Sequence, residues 1–369
     1  MKISSIEVRR YRTLWGNPIR MAWDPTPRTM QEATVVVVTA DDGSVGIASG
    51  DDVPDEAVLR RHLVGVDPRR SEVVHRVCET VDFHGGRPWV VEVACLDLAA
   101  RVAGEPLWRF LGGRNASLLA YASAGEAVDA TERAERAAHL RMAGFKAVKL
   151  RLPAGDWRAS LDVVESVRAA VGSTMEIMVD ANQAWRMPGD LRRPWDVAEA
   201  VQCARALEGL GVYWLEEPLP TADVAGYAEL RSKTSLRIAA GEMVRHSQEA
   251  RDLLLRGGVD VIQCDVVLSG GVTGAKRLAG LADLMGRAWT PHTWTNGMGL
   301  LANLHVAMAL SSCPFVEFPF DLPNWSPDRR DWLLPEPIYA DAEGVLRLSD
   351  EPGLGFPTDL AWLEGNRLS

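Results

Sequence analysis

The sequence has no run of about 18 apolar residues and no CxxC pair, and each absence excludes a class of protein. Without such a run we expect no membrane span, and residues 1–15 have no continuous apolar core of a signal peptide. Five scattered cysteines, an odd number, argue against a disulfide scaffold. We therefore predict a cytoplasmic protein with reduced, mostly buried thiols. The cysteines are Cys78, Cys95, Cys203, Cys264 and Cys313.

Basic residues are also in deficit, with 40 Lys and Arg against 50 Asp and Glu and a formal net charge of -10. An acidic balance argues against nucleic acid as the main partner. It leaves an anionic substrate open, because a bound cation can reverse the local field of a site. The 13 tryptophans are more than usual, and their ordinary interpretation is packing in the core and at interfaces.

The pattern of apolar and polar residues changes twice along the chain, which predicts three regions. Residues 1–118 have α+β character, with a strand at Ile3–Tyr11, later hairpin and helix patterns, and a loop-like stretch over 14–30 that is positioned to cover a site. Residues 119–328 alternate eight short apolar runs with amphipathic helices, as in a parallel (β/α)₈ barrel. Residues 329–369 return to loop and strand texture. We predict an α/β fold, a modified TIM barrel with an N-terminal α+β domain.

Acidic residues follow three consecutive apolar runs of the predicted barrel. Asp180 ends the third run, Glu216 the fourth, and Glu242 the fifth. A single such residue could be a helix N-cap or a solvated turn. Three at the same end of a barrel would repel one another unless a cation neutralised them, and ligand sets made only of oxygen suit Mg²⁺.

Other charged residues are expected at the same rim. Lys149 and Arg151 alternate onto one face of the second run, where they need anions nearby; ordinary salt bridges are the alternative. Asp265 and His292 follow the sixth and seventh runs, where the carboxylate could fix the imidazole tautomer and raise its basicity, although a lone histidine there is often structural. Glu317 ends the eighth run and could donate a proton if neighbouring anions raised its pKa.

These residues, in this order, resemble the enolase superfamily and, within it, the mandelate racemase subgroup of the mandelate racemase/muconate lactonizing enzyme family. The resemblance rests on VDAN at 179–182, WLEEP at 214–218, AAGE at 239–242, and IQCDVVLSGGVTGAKRLAGLA at 262–282 followed by PHTW. A helix-and-linker segment containing VEVACLDLAA and the late PGLGFPTD are similar as well. The similarity covers nearly the whole chain.

The resemblance implies a fold and roles for named residues. It implies an N-terminal capping domain that the C-terminal segment completes, and a loop within 14–27 that helps to set specificity. It assigns the three acids above as Mg²⁺ ligands, Asp265 as the residue that orients the base, and His292 as the base. We also predict that Asn182 and Trp294 bind substrate. The family commonly forms dimers or octamers, so we expect a homo-oligomer.

The second run departs from the subgroup, whose usual motif is Lys-x-Lys with the second lysine acting as a base. Here it reads Lys149-Leu150-Arg151, and a guanidinium stays protonated at ordinary pH. Because a racemase needs an acceptor on each face, the sequence favours a hydro-lyase. We expect removal of the proton next to a carboxylate, an enediolate, and dehydration of an acid sugar to a 2-keto-3-deoxy acid. Racemisation, epimerisation, cycloisomerisation and a non-catalytic ligand-binding barrel are the alternatives.

Overall fold

The computed structural model describes residues 1–50, 55–113, 117–152, 157–310 and 313–368. The N-terminal part combines a three-stranded antiparallel sheet, in the order β1-β2-β3, with helices. Its elements are β1 (Ile3–Ile19), β2 (Arg28–Ala40), β3 (Val45–Gly50), α1 (Glu56–Leu63), α2 (Ser71–His84), α3 (Trp89–Ala103) and α4 (Leu107–Phe110). We call the sheet with α1 to α3 the cap.

The first hairpin of the cap is longer than the sequence predicted. The loop expected over 14–30 is confined to 20–27, because β1 continues to Ile19 and pairs with the start of β2 at Arg28 after a register shift. Pairs at the two ends of this Pro- and Trp-rich stretch, Leu14 with Met30 and Ile19 with Arg28, keep it in the strand without any apolar alternation in its sequence. The remaining loop reaches the barrel, where the Ala22 N–H donates to the Gly125 carbonyl at 2.9 Å.

Eight parallel strands form the curled sheet of the barrel, and the last of them pairs with the first. The strands are β4 (Ser117–Ser123), β5 (Ala147–Arg151), β6 (Glu176–Asp180), β7 (Trp214–Glu216), β8 (Arg237–Ala240), β9 (Val261–Ile262), β10 (Ala288–Trp289) and β11 (Val316–Pro319). Their bounds lie within three residues of the apolar runs that the sequence predicts as strands, which are 119–123, 147–150, 176–179, 212–215, 237–240, 261–263, 288–290 and 315–316. Thr293 links the strands β10 and β11, since its N–H donates to Glu317 Oε2 at 2.8 Å.

Helices alternate with these strands, as the amphipathic stretches predicted. They are α5 (Ala130–Met142), α6 (Leu161–Val171), α7 (Val197–Gly209), α8 (Val224–Lys233), α9 (Ser247–Asp252), α10 (Gly271–Leu284), α11 (Gly297–Ala309) and α12 (Pro327–Arg330). The starts of α5 and α7 are fixed by Asp129 and Asp196, whose side chains accept from the N–H groups of Glu132 and Glu199. No helix in the described ranges is long and apolar enough to cross a membrane.

The segment after the barrel contacts both the barrel and the cap. Its strand β12 (Val345–Arg347) pairs with β4, and the Leu354 N–H donates to Asp97 on α3 at 2.6 Å. Near its end, Leu368 donates to the carbonyl of Arg10 on β1 at 2.8 Å. The predicted fold is therefore confirmed, including the C-terminal completion of the cap. The boundaries 1–118, 119–328 and 329–369 stay a proposal. All five cysteines are free and buried.

Candidate active site

Three buried carboxylates meet at the carboxyl ends of neighbouring strands. Asp180 ends β6, Glu216 ends β7 directly beside it, and Glu242 follows β8; their ligand atoms all lie within 4.8 Å of one another. Burial raises the pKa of Glu216 to about 7 against the opposing charge of Lys149, and burial also raises the pKa of Asp180. Three carboxylates this close together also repel one another when they are charged. A cation among their oxygens relieves that repulsion.

The donor set of this acidic triad fits a hard divalent cation. All three residues offer carboxylate oxygens, which Mg²⁺ prefers over nitrogen or sulfur ligands. Glu242 Oε2 is buried and has no hydrogen-bond partner in the part of the chain that the structure describes, whereas Glu242 Oε1 accepts from the indole N–H of Trp185 at 2.7 Å. A buried carboxylate oxygen left without a donor is costly, so a cation at this point would satisfy an atom that the protein itself does not.

Lys149 and Arg151 point into the barrel from β5, as strand alternation predicted. Lys149 Nζ lies 2.6 Å from Glu216 Oε1 and 2.7 Å from Glu317 Oε1. Burial alone would lower the pKa of Lys149, but the surrounding carboxylates outweigh it and raise the pKa. Arg151 Nη1 lies 2.5 Å from Asp180 Oδ2. Both cations therefore form salt bridges, as the alternative interpretation expected. The carboxylates that they contact are those of the predicted site.

Arg151 is also held by aromatic rings. Its guanidinium carbon lies 4.2 Å from the centroid of the Trp23 ring and 5.4 Å from that of Trp294. Both cations are attracted to an aromatic face, but only the planar guanidinium can also stack on it. The position therefore differs from a lysine position in shape as well as in basicity.

His292 and Asp265 form the predicted dyad. His292 Nδ1 lies 3.1 Å from Asp265 Oδ2, and His292 Nε2 lies 3.9 Å from Glu242 Oε2. The other oxygen, Asp265 Oδ1, accepts from Asn303 Nδ2 at 2.8 Å and from the Val267 N–H at 2.9 Å. With Nδ1 turned to the carboxylate, Nε2 faces the acidic triad. Burial lowers the pKa of His292, but the charge of Glu242 and the bond to Asp265 outweigh burial and raise the pKa to about 9.

Glu317 was predicted to donate a proton on the condition that its pKa is raised, and its contacts do not meet that condition. Its carboxylate accepts from Ser123 Oγ at 2.7 Å and lies against Lys149. Burial raises its pKa, but the positive charges of Lys149 and His292 outweigh burial, and the pKa falls to about 2. Cations surround this group more closely than the anions that the sequence suggested, so Glu317 is a charged acceptor.

The two residues predicted to bind substrate both line this region. Asn182 has a left-handed backbone (φ 47°); its Oδ1 accepts from Arg151 Nη1 at 3.2 Å, and its buried Nδ2 has no partner. The Trp294 indole N–H donates to Ser123 Oγ at 2.8 Å. Asn182 and Trp185 also line an adjacent cavity of about 310 Å³.

The sequence did not identify three of the supporting side chains. Trp185 belongs to the long loop after β6, and its sequence neighbours gave no sign that it would reach Glu242. Asn303 lies in the middle of the apolar helix α11, where a lone polar residue was a usable signal. Ser123 at the end of β4 joins Trp294 to Glu317 through its hydroxyl, and a single serine carries no such signal.

The comparisons with known proteins agree with this geometry. Residues 131–362 match the family model described as Enolase C-terminal domain-like, and the chain belongs to the enolase superfamily. It is 30% identical over 269 residues to arabinonate dehydratase from Saccharolobus solfataricus, covering 72% of this chain and 68% of that protein. It is 29% identical over 379 residues to D-galactarolactone cycloisomerase from Agrobacterium fabrum, covering 96% of each.

Solved structures share the fold. The 3,6-anhydro-D-galactonate cycloisomerase from Zobellia galactanivorans has a TM-score of 0.81 at 25% identity, and the alignment covers 100% of both chains. D-glucarate dehydratase from Agrobacterium tumefaciens, complexed with magnesium, has a TM-score of 0.85 at 24% identity and likewise covers 100% of both. The predicted family is confirmed. Its members in these comparisons include dehydratases and cycloisomerases, so the reaction itself is not decided by the likeness.

Proposed function

We propose that the chain is a Mg²⁺-dependent hydro-lyase that removes the proton next to the carboxylate of an acid sugar and expels a hydroxyl, giving a 2-keto-3-deoxy acid. The observation that carries the proposal is the asymmetry of the site. On one side, the imidazole of His292 would accept a proton at Nε2 once a cation at the acidic triad offsets the charge of Glu242, which raises the pKa of His292. On the other side, Arg151 stays protonated. One face of the substrate therefore meets a base and the other meets a fixed cation.

Each residue then has a role that its contacts support. Bound at Asp180, Glu216 and Glu242, Mg²⁺ would supply the Lewis acidity that makes the C–H next to a carboxylate more acidic. His292 Nε2 takes that proton, while Asp265 holds Nδ1–H and stabilises the imidazolium that forms.

The cations of β5 offset the negative charge that develops as the enediolate forms. Lys149 and Arg151 are buried, and their attraction for that charge is stronger there than in water. Loss of water needs a proton at the departing hydroxyl. Because Glu317 is held in its charged form, we assign this proton to His292, which returns what it has taken. The C–O bond breaks, water leaves, and the enol product becomes a 2-keto acid.

A cycloisomerase is the second candidate. It is supported by the relative from Agrobacterium fabrum that is aligned over 96% of both chains, and an elimination that opens a ring also needs only one base. Racemisation and epimerisation need a second acceptor in the place that Arg151 occupies. A non-catalytic ligand-binding barrel gives no reason for a complete dyad beside a complete acidic triad.

The experiment is a screen of aldonates, aldarates and their lactones with the Mg²⁺-loaded protein in D₂O. Formation of a 2-keto acid, with the His292→Asn variant as the inactive control, supports the dehydratase. Ring opening without loss of water supports the cycloisomerase. Deuterium entering the α-carbon with inversion of its configuration and no other change would support a racemase, and no reaction with any acid would refute the proposal.

Three further points remain proposals. The partner is a small-molecule carboxylate and not nucleic acid or a membrane. The chain forms a homo-oligomer, a dimer or an octamer, which light scattering during gel filtration measures. The location is cytoplasmic, which fractionation of the native cells measures.

A further inference from the structure

We infer that the carboxamide of Gln263 binds a hydroxyl group of the substrate. The inference rests on the proposed function, because it places this side chain in the same chamber as the acidic triad and His292. Neither the sequence motifs nor the proposed chemistry gives Gln263 a role.

Gln263 is fully buried, and neither polar atom of its side chain has a hydrogen-bond partner among the described residues. A buried amide without partners is destabilising, and a leucine or methionine of similar size would avoid that cost. Several buried indole N–H groups of the chain are also without partners, but a tryptophan is retained for its ring area. A glutamine has no comparable apolar part. The reason for a buried glutamine without partners must therefore lie in its carboxamide.

The backbone places this side chain at the level of the reacting groups. Gln263 continues β9: its N–H donates to the Ala240 carbonyl at 3.0 Å, and its carbonyl accepts from the His292 N–H at 3.1 Å. Side chains two residues apart along a strand share a face. Val261 packs inside the barrel floor, and Asp265 reaches His292. Gln263, between them, therefore faces the barrel interior.

The chemistry of a carboxamide narrows what it would bind. Its NH₂ donates and its carbonyl accepts. A substrate carboxylate only accepts and would leave the carbonyl oxygen unsatisfied. A hydroxyl group both donates and accepts, so one hydroxyl, or two neighbouring ones, satisfies the side chain completely. The matching ligand is a hydroxy acid, and a deoxy analogue would leave a buried amide unpaired, which sites of this kind reject strongly.

The test compares Gln263→Leu with Gln183→Leu. Gln183 is a matched control because it is buried but has partners: its Nε2 donates to the Ala181 carbonyl at 2.6 Å, and its Oε1 accepts from Arg186 at 2.9 Å. We expect Gln183→Leu to lower Tm. We expect Gln263→Leu to leave Tm unchanged or raise it, because a leucine removes an unpaired amide from the interior. A fall in Tm like that of the control would show that Gln263 is structural and overturn the inference.

A second measurement concerns the ligand. Calorimetry on the Mg²⁺-loaded protein compares D-gluconate with its 2-deoxy and 3-deoxy analogues. The wild type should prefer the hydroxylated acid over one of the deoxy acids by tenfold or more, and Gln263→Leu should lose that preference while Mn²⁺ affinity changes less than twofold. Equal preference in both proteins would overturn the inference. A preference that depends on Gln263 in a protein that forms no keto acid would keep the inference and refute the dehydratase.

Discussion

The contact between the barrel helix α11 and the short helix α4 should make the stability of the wild-type chain sensitive to acid. Replacement of His305 by asparagine should remove that sensitivity. His305 lies in the middle of α11 and is 1% exposed. Its Nδ1 accepts from the backbone N–H of Trp108 in α4 at 3.0 Å. Burial lowers the pKa of His305 from its ordinary value of 6.5 to about 3, so the folded chain holds this imidazole neutral.

The sign follows from proton binding. Below pH 6.5 the unfolded chain takes up a proton at His305 that the folded chain does not, and proton binding to the unfolded state favours unfolding. The stabilisation is therefore complete above about pH 6.5 and is lost as pH falls towards 3. At about 1.36 kcal/mol per pH unit, the loss is about 3 kcal/mol at pH 4.5 and approaches about 5 kcal/mol at pH 3.

Urea unfolding at pH 7.5, 6.5, 5.5 and 4.5 measures the effect in both proteins. In His305→Asn, the amide oxygen can accept from the same N–H but does not titrate in this range. Groups common to both proteins cancel in the difference. We expect the free energy of unfolding of the wild type, relative to the variant, to fall by about 3 kcal/mol from pH 7.5 to 4.5. Parallel pH profiles would show that His305 is accessible to protons in the folded state and refute the reasoning.

Four further predictions concern the site. Trp185→Phe removes the donor to Glu242 and should weaken Mn²⁺ affinity about 10- to 100-fold, as read by titration; unchanged affinity would show that the indole does not orient the ligand. Asp265→Asn should lower kcat by two orders of magnitude or more with metal affinity intact, because His292 loses its tautomer; a small effect would contradict the dyad. Arg151→Lys should introduce α-proton exchange from the second face, which NMR in D₂O detects as deuterium incorporated with inversion of configuration; exchange with inversion already present in the wild type would contradict the single-base argument. Removal of metal with a chelator should lower the free energy of unfolding by about 2.7 kcal/mol relative to a concentration of 100 times Kd, and no shift in Tm would argue against a bound ion.

The sequence predicted the barrel well because its strands are buried on both faces and its helices are amphipathic. Short apolar runs such as 237–240 are strands with the same bounds in the structure. The hairpin between β1 and β2 was predicted less well. Residues 14–19 lack apolar alternation, and they belong to a strand only because β2 pairs with β1. Local pattern cannot report a partner that lies further along the chain.

The same distinction applies to the site. Asp180, Glu216 and Glu242 could be placed together because parallel strands end at one rim, a rule that depends on order along the chain. The charge state of Glu317 could not be inferred in this way, because it depends on how closely Lys149 approaches it. Contacts made by a loop or by a helix, such as that of Trp185 with Glu242, depend on where a side chain reaches and have no periodic signature.

The contacts between β1 and the last residues of the described chain have a consequence for biosynthesis. Arg367 forms a bridge with Tyr11, and Asn366 donates to the carbonyl of Arg12 at 3.1 Å, so the first strand is fastened by residues translated after the whole barrel. On the ribosome, the catalytic rim can assemble before its cover is secured. Nascent chains halted short of residue 366 should therefore be more sensitive to protease around residues 10–12, while the 20–27 loop keeps its contact with an otherwise folded barrel.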